Sequence, residues 1–133
     1  MAEEGSGGAK WRPVHWIGRS LADLKEFPVL AQRNIGFALW FAQRGDKHPS
    51  AKPAKWFGGS GVLEIVEDLH GDTYRAIYTV RFAKSIYVLH AFKKKSKSGI
   101  KTPRHELALI DSRLKWAAAD YQRWLKEQAN EES

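Results

Sequence analysis

The residues best suited to chemistry are cations grouped in one part of the sequence. Arg75 and Arg81 lie six residues apart on a predicted strand, so their side chains are expected to share one face of the sheet. His90 lies on the next predicted strand, and Lys93 and Lys94 follow at its end. Cations hold phosphate groups, and an imidazole or an amine transfers protons. The group therefore predicts a polyanion partner, most commonly a nucleic acid.

Cleavage of RNA without a metal ion needs three functions that these residue types can supply. A base deprotonates the 2′-hydroxyl for attack on the adjacent phosphate, cations stabilise the charge of the phosphorane, and an acid protonates the leaving 5′-oxygen. A crowded cationic site lowers the pKa of a Lys or His, which allows one of them to act as the base. The sequence does not identify that residue.

Positive charge is concentrated in the same region. The chain has a formal net charge of +7, and the segment Arg81–Arg104 holds eight Lys and Arg residues with no Asp or Glu. A focused basic patch indicates nucleic-acid binding, and the alternative is a solvated basic loop without a partner. The predicted RNA-binding residues of this segment are Lys95, Lys97, Lys101 and Arg104.

Several classes of site are excluded or not expected. The chain has no cysteine, which excludes disulfides, thiolate metal sites and cysteine nucleophiles. Its five histidines are scattered, so we expect no metal site and no cofactor. The glycines of 58–61 precede a strand and lack a following Lys-Ser/Thr pair, unlike a phosphate-binding loop. Neither a membrane-spanning run nor a signal peptide is evident, so a cytoplasmic protein is expected.

The helices that position these residues are predicted from capping and periodicity. Ser20 is expected to cap a short helix ending near Glu26. Pro28 opens a second helix that runs to Arg44, with Gly45 at its end. A long C-terminal helix is expected to begin at Thr102-Pro103. Its predicted buried stripe is Leu107, Ile110, Leu114, Ala117, Tyr121 and Leu125.

The strands are predicted from β-branched and aromatic residues and from apolar alternation. One strand is expected within Trp11–Ile17, and a loop at Asp46–Gly61 leads into an antiparallel meander. The meander strands are predicted at Val62–Glu67, Thr73–Phe82 and Ser85–Phe92, followed by a basic loop at Lys93–Lys101. Strict alternation places His90 with Ile86, Val88 and Phe92, so a structural histidine is the alternative to a catalytic one.

These elements define one α+β domain of a 133-residue chain. Two N-terminal helices and the long C-terminal helix pack on a small antiparallel sheet, with one sheet face on helices and the other partly open. Residues 1–9 are predicted to be a disordered tail, 10–127 the domain, and 128–133 a frayed polar tail.

Four stretches of the sequence carry a family resemblance. They begin with Gly61-Val-Leu-Glu-Ile65 and Tyr74-Arg75-x-x-Tyr78, and continue with the run from Tyr87 to Ser96 and with Thr102-Pro103-x-x-Glu106-Leu. The most specific part is the pattern F-x-K-K-[ST] followed by T-P-x-x-E. Together they resemble the phage-derived HigB-like branch of the RelE/ParE toxin superfamily over about Trp11 to Tyr121.

The resemblance implies a RelE/ParE-like fold and the toxin of a type II toxin–antitoxin pair. Such toxins generally cut mRNA in the ribosomal A site without a metal ion, and a helix-turn-helix antitoxin encoded beside the toxin neutralises it. By position, Arg75 matches the strand arginine of the family motif, and Lys52 and Lys55 match a basic loop that contacts RNA or the ribosome. His90 and Lys93–Lys95 lie where the family places active-site residues on its last strand. The predicted catalytic residues are Arg75, Arg81, His90, Lys93 and Lys94, with Lys52 and Lys55 added to the RNA-binding set.

Two other functions stay open at this point. One is a non-enzymatic inhibitor like the ParE toxins, which share the fold and bind gyrase. The other is an inactive prophage protein that binds RNA or its antitoxin without cutting. The clustered cations favour the endonuclease over the gyrase inhibitor, because an inhibitor of a protein needs no concentrated phosphate site.

Overall fold

A computed structural model describes residues 11–54, 61–95 and 102–132 of the chain. It contains five strands and three helices in the order β1, α1, α2, β2, β3, β4, β5, α3 within these residues. Their bounds are β1 Val14–Trp16, α1 Ser20–Leu24, α2 Val29–Gln43, β2 Ala51–Pro53, β3 Val62–Leu69, β4 Asp72–Thr79, β5 Ile86–Lys95 and α3 Arg104–Glu132. The predicted α+β class is confirmed.

The N-terminal helices follow the predicted boundaries closely, with one difference at the first cap. Helix α2 begins directly after Pro28, and Gly45 beyond its end has a φ of +86°, which glycine adopts without strain. Ser20, however, does not cap α1 with its side chain. It is buried, and its hydroxyl donates to the carbonyl oxygen of Val88 at 3.3 Å. The hydroxyl therefore ties α1 to β5.

The sheet has the strand order β1-β5-β4-β3-β2. The meander is antiparallel as predicted, whereas β1 pairs parallel with Ile86–Val88 of β5. Strand β2 lies inside the predicted loop and pairs with Leu63–Ile65. Three residues are too few for a periodic signal, and Pro53 is accommodated because β2 is an edge strand.

A bulge in β5 changes which residues share a face of the sheet. Tyr78 pairs with Val88 and Ile77 pairs with His90, so Leu89 is the extra residue. After the bulge, His90 and Phe92 lie on the face opposite to Val88. The predicted face that joined His90 with Ile86 and Val88 is therefore wrong, because strict alternation does not allow for an inserted residue.

Helices pack on both faces of the sheet. Helices α1 and α2 cover the face that carries Tyr74, Tyr78 and Val88. Helix α3 packs on the other face, against Ile77, Tyr87 and Leu89, through part of its predicted stripe. Helix α3 lies across the sheet from α2 and covers part of the second face, so helices lie on both sides of the sheet and not on one side alone.

Three further boundaries differ from the predictions. Strand β4 ends at Thr79, and Lys93–Lys95 belong to strand β5 instead of a loop. Helix α3 continues through the predicted polar tail to Glu132. None of the helices within the described ranges is long and apolar enough to cross a membrane.

Candidate functional site

An ion pair between neighbouring strands forms the centre of the candidate site. Arg75 lies on β4, on the face that α3 partly covers, and is buried. Its Nη1 donates to Oε2 of Glu64 on β3. The Nε of Arg75 is also buried and has no hydrogen-bond partner within the described residues. A guanidinium has five N–H groups, so Arg75 has donors besides the one that contacts Glu64, whereas Nε itself is shielded from solvent.

Lys94 completes the group from the third strand. It pairs with Thr73, two residues before Arg75, so Lys94 lies on the same face as Arg75. Burial lowers the pKa of the Lys94 ammonium, and the charge of Arg75 lowers this pKa further, whereas Glu64 partly offsets both effects. These three side chains, Glu64, Arg75 and Lys94, are called the Glu–Arg–Lys group below. They bring a carboxylate, a guanidinium and an ammonium with a lowered pKa to one face of three adjacent strands.

His90 is held by two charged residues of α3. Its Nε2 lies 2.6 Å from Oε1 of Glu106, and its Nδ1 lies 3.2 Å from Nη1 of Arg113. Because a guanidinium only donates, Nδ1 is the acceptor and Nε2–H donates to the carboxylate. The same Arg113 atom donates to the carbonyl oxygen of Leu89 at 2.9 Å. Both ring nitrogens are therefore engaged inside the protein, which favours a structural role for His90.

The remaining predicted catalytic residues do not join the Glu–Arg–Lys group. Lys93 pairs with Tyr74 on the opposite face, and its ammonium lies 3.2 Å from the carboxylate of Asp72. Arg81 is exposed and lies beyond the end of β4. The expectation that Arg81 shares a strand face with Arg75 is therefore wrong, since the strand ends before it.

The predicted RNA-binding residues are only partly described. Lys52 is exposed on β2, and Arg104 is exposed at the start of α3. Lys55, Lys97 and Lys101 lie outside the described residues, as does the side chain of Lys95. The structure thus adds no contact for these four lysines.

A cleft of about 460 Å³ opens beside the edge of β5 that β1 leaves uncovered. Its lining residues include Asp23 and Glu26 at the end of α1. They also include two predicted site residues, His90 and Lys93. Arg75 and Lys94 do not line this cleft, so it is separate from the Glu–Arg–Lys group.

Sequence reasoning missed the residues that pair with the cations. Glu64 was visible only as a polar residue within an apolar strand, and its contact with Arg75 depends on the register of β3 against β4. Glu106 lies in the T-P-x-x-E pattern but had no assigned role, and its contact with His90 depends on the bulge. In the described part of the chain, no group of three or more His, Asp or Glu side chains could hold a metal ion.

Comparison with known proteins gives one family. No curated protein and no solved structure matches the chain. The family described as "Phage derived protein Gp49-like (DUF891)" matches residues 22–115, which is well over half of the sequence and includes Glu64, Arg75 and Lys94. This family is associated with RelE/HigB-like toxins. The chain therefore belongs to the Gp49-like family of phage-derived proteins.

Proposed function

We propose that this chain is the toxin of a type II toxin–antitoxin pair, that it belongs to the HigB-like branch, and that it cuts mRNA on the ribosome without a metal ion. The observation that carries the proposal is the Glu–Arg–Lys group, in which Arg75 contacts Glu64, and burial together with the charge of Arg75 lowers the pKa of Lys94. Membership of the Gp49-like family supports it from an independent direction.

Each residue of the group supplies one function that the reaction needs. The Glu64 carboxylate accepts the proton of the 2′-hydroxyl, whose oxygen then forms a bond to phosphorus. Arg75 donates to the phosphorane oxygens through N–H groups that Glu64 does not use. Lys94 protonates the 5′-oxygen as its bond to phosphorus breaks, and its lowered pKa makes the ammonium a stronger acid. The products are a 2′,3′-cyclic phosphate and a 5′-hydroxyl.

The proposed function also includes RNA contacts outside the Glu–Arg–Lys group and an inhibitory protein partner. Lys52 and Arg104 are exposed and are proposed to contact RNA phosphates, together with the lysines of the basic segment after β5. The inhibitory partner is proposed to be a helix-turn-helix antitoxin encoded beside this chain. The toxin is proposed to act in the cytoplasm.

A second candidate function is a non-enzymatic inhibitor that binds another protein. It is favoured by one observation, that the cations Arg75 and Lys93 already have carboxylate partners inside the chain. Paired cations have less capacity for phosphate than the clustered sequence suggested.

Induced expression in a bacterial host tests the proposal, with mapping of new 5′ ends in cellular mRNA. The variant is Glu64→Gln, which keeps an oxygen acceptor for Arg75 and removes the base. The matched control is Glu67→Gln on the same strand, where Glu67 accepts from Asn34 of α2.

We expect growth arrest with cuts inside translated regions for the wild type and for Glu67→Gln, and neither effect for folded Glu64→Gln. Arrest of all three strains without new cuts would support the inhibitor instead. A folded wild type that causes no arrest would reject both functions.

A further inference from the structure

The outer side of α2 carries large apolar side chains that contact solvent. Phe37 is 53% exposed and Trp40 is 37% exposed, and Leu30 lies on the same side of the helix. Trp11, which precedes β1, packs against Trp40 with ring centroids 5.8 Å apart. These four residues are called the aromatic face of α2. Contiguous exposed surfaces of this kind usually mark interaction sites.

The rings of the aromatic face are already in contact with one another and with a cation. Phe37 is stacked on Trp40, with centroids 5.7 Å apart and an interplanar angle of 20°. The guanidinium of Arg44 lies 4.8 Å from the Trp40 centroid and 5.7 Å from that of Trp11. Stacking on a nucleobase needs an open ring face, and these contacts reduce the area available. The exposed parts of these rings, together with Leu30, fit apolar side chains of a protein better.

The charges around the aromatic face select the kind of protein. Helix α2 contains no Asp or Glu, and exposed Arg33 lies between Leu30 and Phe37. Arg44 adds a second cation directly after the helix. A second copy of this chain would bring the same cations together, and each copy has a formal net charge of +7. A partner with an acidic surface is complementary in charge to Arg33 and Arg44.

The aromatic face is separate from the candidate catalytic group. Helix α2 packs through Ala31 and Ile35 on one face of the sheet, whereas Arg75 lies on the other face. Substitutions on the outer side of α2 therefore leave the contacts of Arg75 unchanged, which allows binding and cleavage to be tested independently.

We propose that the aromatic face of α2 docks an amphipathic helix of a protein partner. The apolar side chains of that helix bury Phe37 and Trp40, and its carboxylates pair with Arg33 and Arg44. The inference rests on the proposed toxin–antitoxin pairing, because the pairing supplies the partner used in the test.

The test is calorimetric titration of the purified full chain with the helix-turn-helix protein encoded beside it. The variants are Phe37→Ala and Trp40→Ala, and the matched control is Trp116→Ala on α3, where Trp116 is 56% exposed. We expect about 30-fold weaker binding for Trp40→Ala, as for an aromatic residue at the centre of an interface, and unchanged binding for the control. Arg33→Glu should weaken binding about 10-fold at low salt and less at high salt.

Three results would overturn the inference. They are the absence of binding by the wild type, wild-type affinity in folded Phe37→Ala and Trp40→Ala, and a loss of affinity for a single-stranded octanucleotide RNA that parallels the loss for the protein. Thermal melting of each variant shows whether the fold is retained.

Cleavage of mRNA by the same variants separates this inference from the proposed function. We expect Trp40→Ala to retain cleavage while it loses the partner. Tight, Trp40-dependent binding by a wild type that does not cut RNA would reject the endonuclease and leave the docking surface in place.

Discussion

Arg75 on β4 and Glu64 on β3 form an ion pair whose side chains are only 10% and 15% exposed. Two charges in such a setting stabilise the fold only as a pair, because the loss of one leaves the other desolvated without compensation. The pair therefore contributes to the stability of the sheet and holds both side chains in place for the proposed cleavage.

The stability of the sheet should depend on Arg75 far more than on Arg81. We expect Arg75→Ala to lower the free energy of unfolding by about 3 kcal/mol, since Glu64 then loses its cation. Arg81→Ala, an exposed residue of the same type, should change it by less than about 0.5 kcal/mol. Urea unfolding of both variants measures the difference, and equal stabilities would show that the ion pair contributes nothing. Arg75→Lys, which keeps the charge, is the preferred variant for activity measurements.

The pH dependence of RNA cleavage should report the ionisation of Lys94. As the proton donor, Lys94 must be protonated, so the rate should fall as the pH rises through its pKa. Burial and the neighbouring charge of Arg75 lower that pKa below the usual 10.5. The alkaline decline should therefore begin at a lower pH than for an ordinary lysine. In Lys94→Arg the rate should fall at every pH, because a guanidinium does not release its proton, and the remaining cleavage should show no alkaline decline. If the rate of that variant declines at high pH as it does in the wild type, Lys94 is not the proton donor.

His90 offers a test that separates structure from proton transfer. A glutamine can imitate the neutral imidazole, with an N–H for Glu106 and an oxygen acceptor for Arg113. We therefore expect His90→Gln to retain cleavage within a few-fold and to keep most of the stability. A loss of about 100-fold or more with a normal melting curve would show that His90 transfers a proton.

Acid should destabilise the contact between β1 and α3 through His15. This ring accepts or donates a hydrogen bond at Ser85 Oγ (3.1 Å) and stacks on Tyr87, whose hydroxyl donates to Asp120. Burial lowers the pKa of His15 from the usual 6.5; Asp120 partly opposes this effect, and the charge of Arg123 adds to it.

The unfolded chain therefore binds this proton more tightly than the folded chain, and the contribution of His15 to stability is lost as the pH falls below about 6.5. His15→Phe keeps an aromatic ring against Tyr87 and should reduce the pH dependence of the unfolding free energy in this range. Identical pH profiles for the wild type and His15→Phe would contradict this origin of acid sensitivity.

Local patterns predicted the helices and the meander because their signals are short-range. Pro28 and Gly45 bound α2 through backbone conformations that belong to those residues. Strand β2 was missed since three residues around Pro53 have no periodicity, and only pairing with β3 makes them a strand.

The candidate site was less accessible to sequence reasoning, because its geometry depends on a single inserted residue and on contacts between strands. The extra Leu89 moves His90 to the face of α3, and the register of β3 brings Glu64 to Arg75. The alternation of apolar and polar residues indicates neither the inserted residue in β5 nor the register of β3 against β4. The cations were visible as a cluster, whereas the carboxylates that pair with them became evident only in the fold.

Cleavage by the Glu–Arg–Lys group can be measured with the purified chain, translating ribosomes and a defined mRNA. The chemistry of the cut ends is then determined. We expect 2′,3′-cyclic phosphate and 5′-hydroxyl ends with the wild type, and cleavage reduced by about 100-fold or more in folded Glu64→Gln, with Glu67→Gln unaffected. Intact mRNA with the wild type, or equal cleavage by Glu64→Gln, would contradict this expectation.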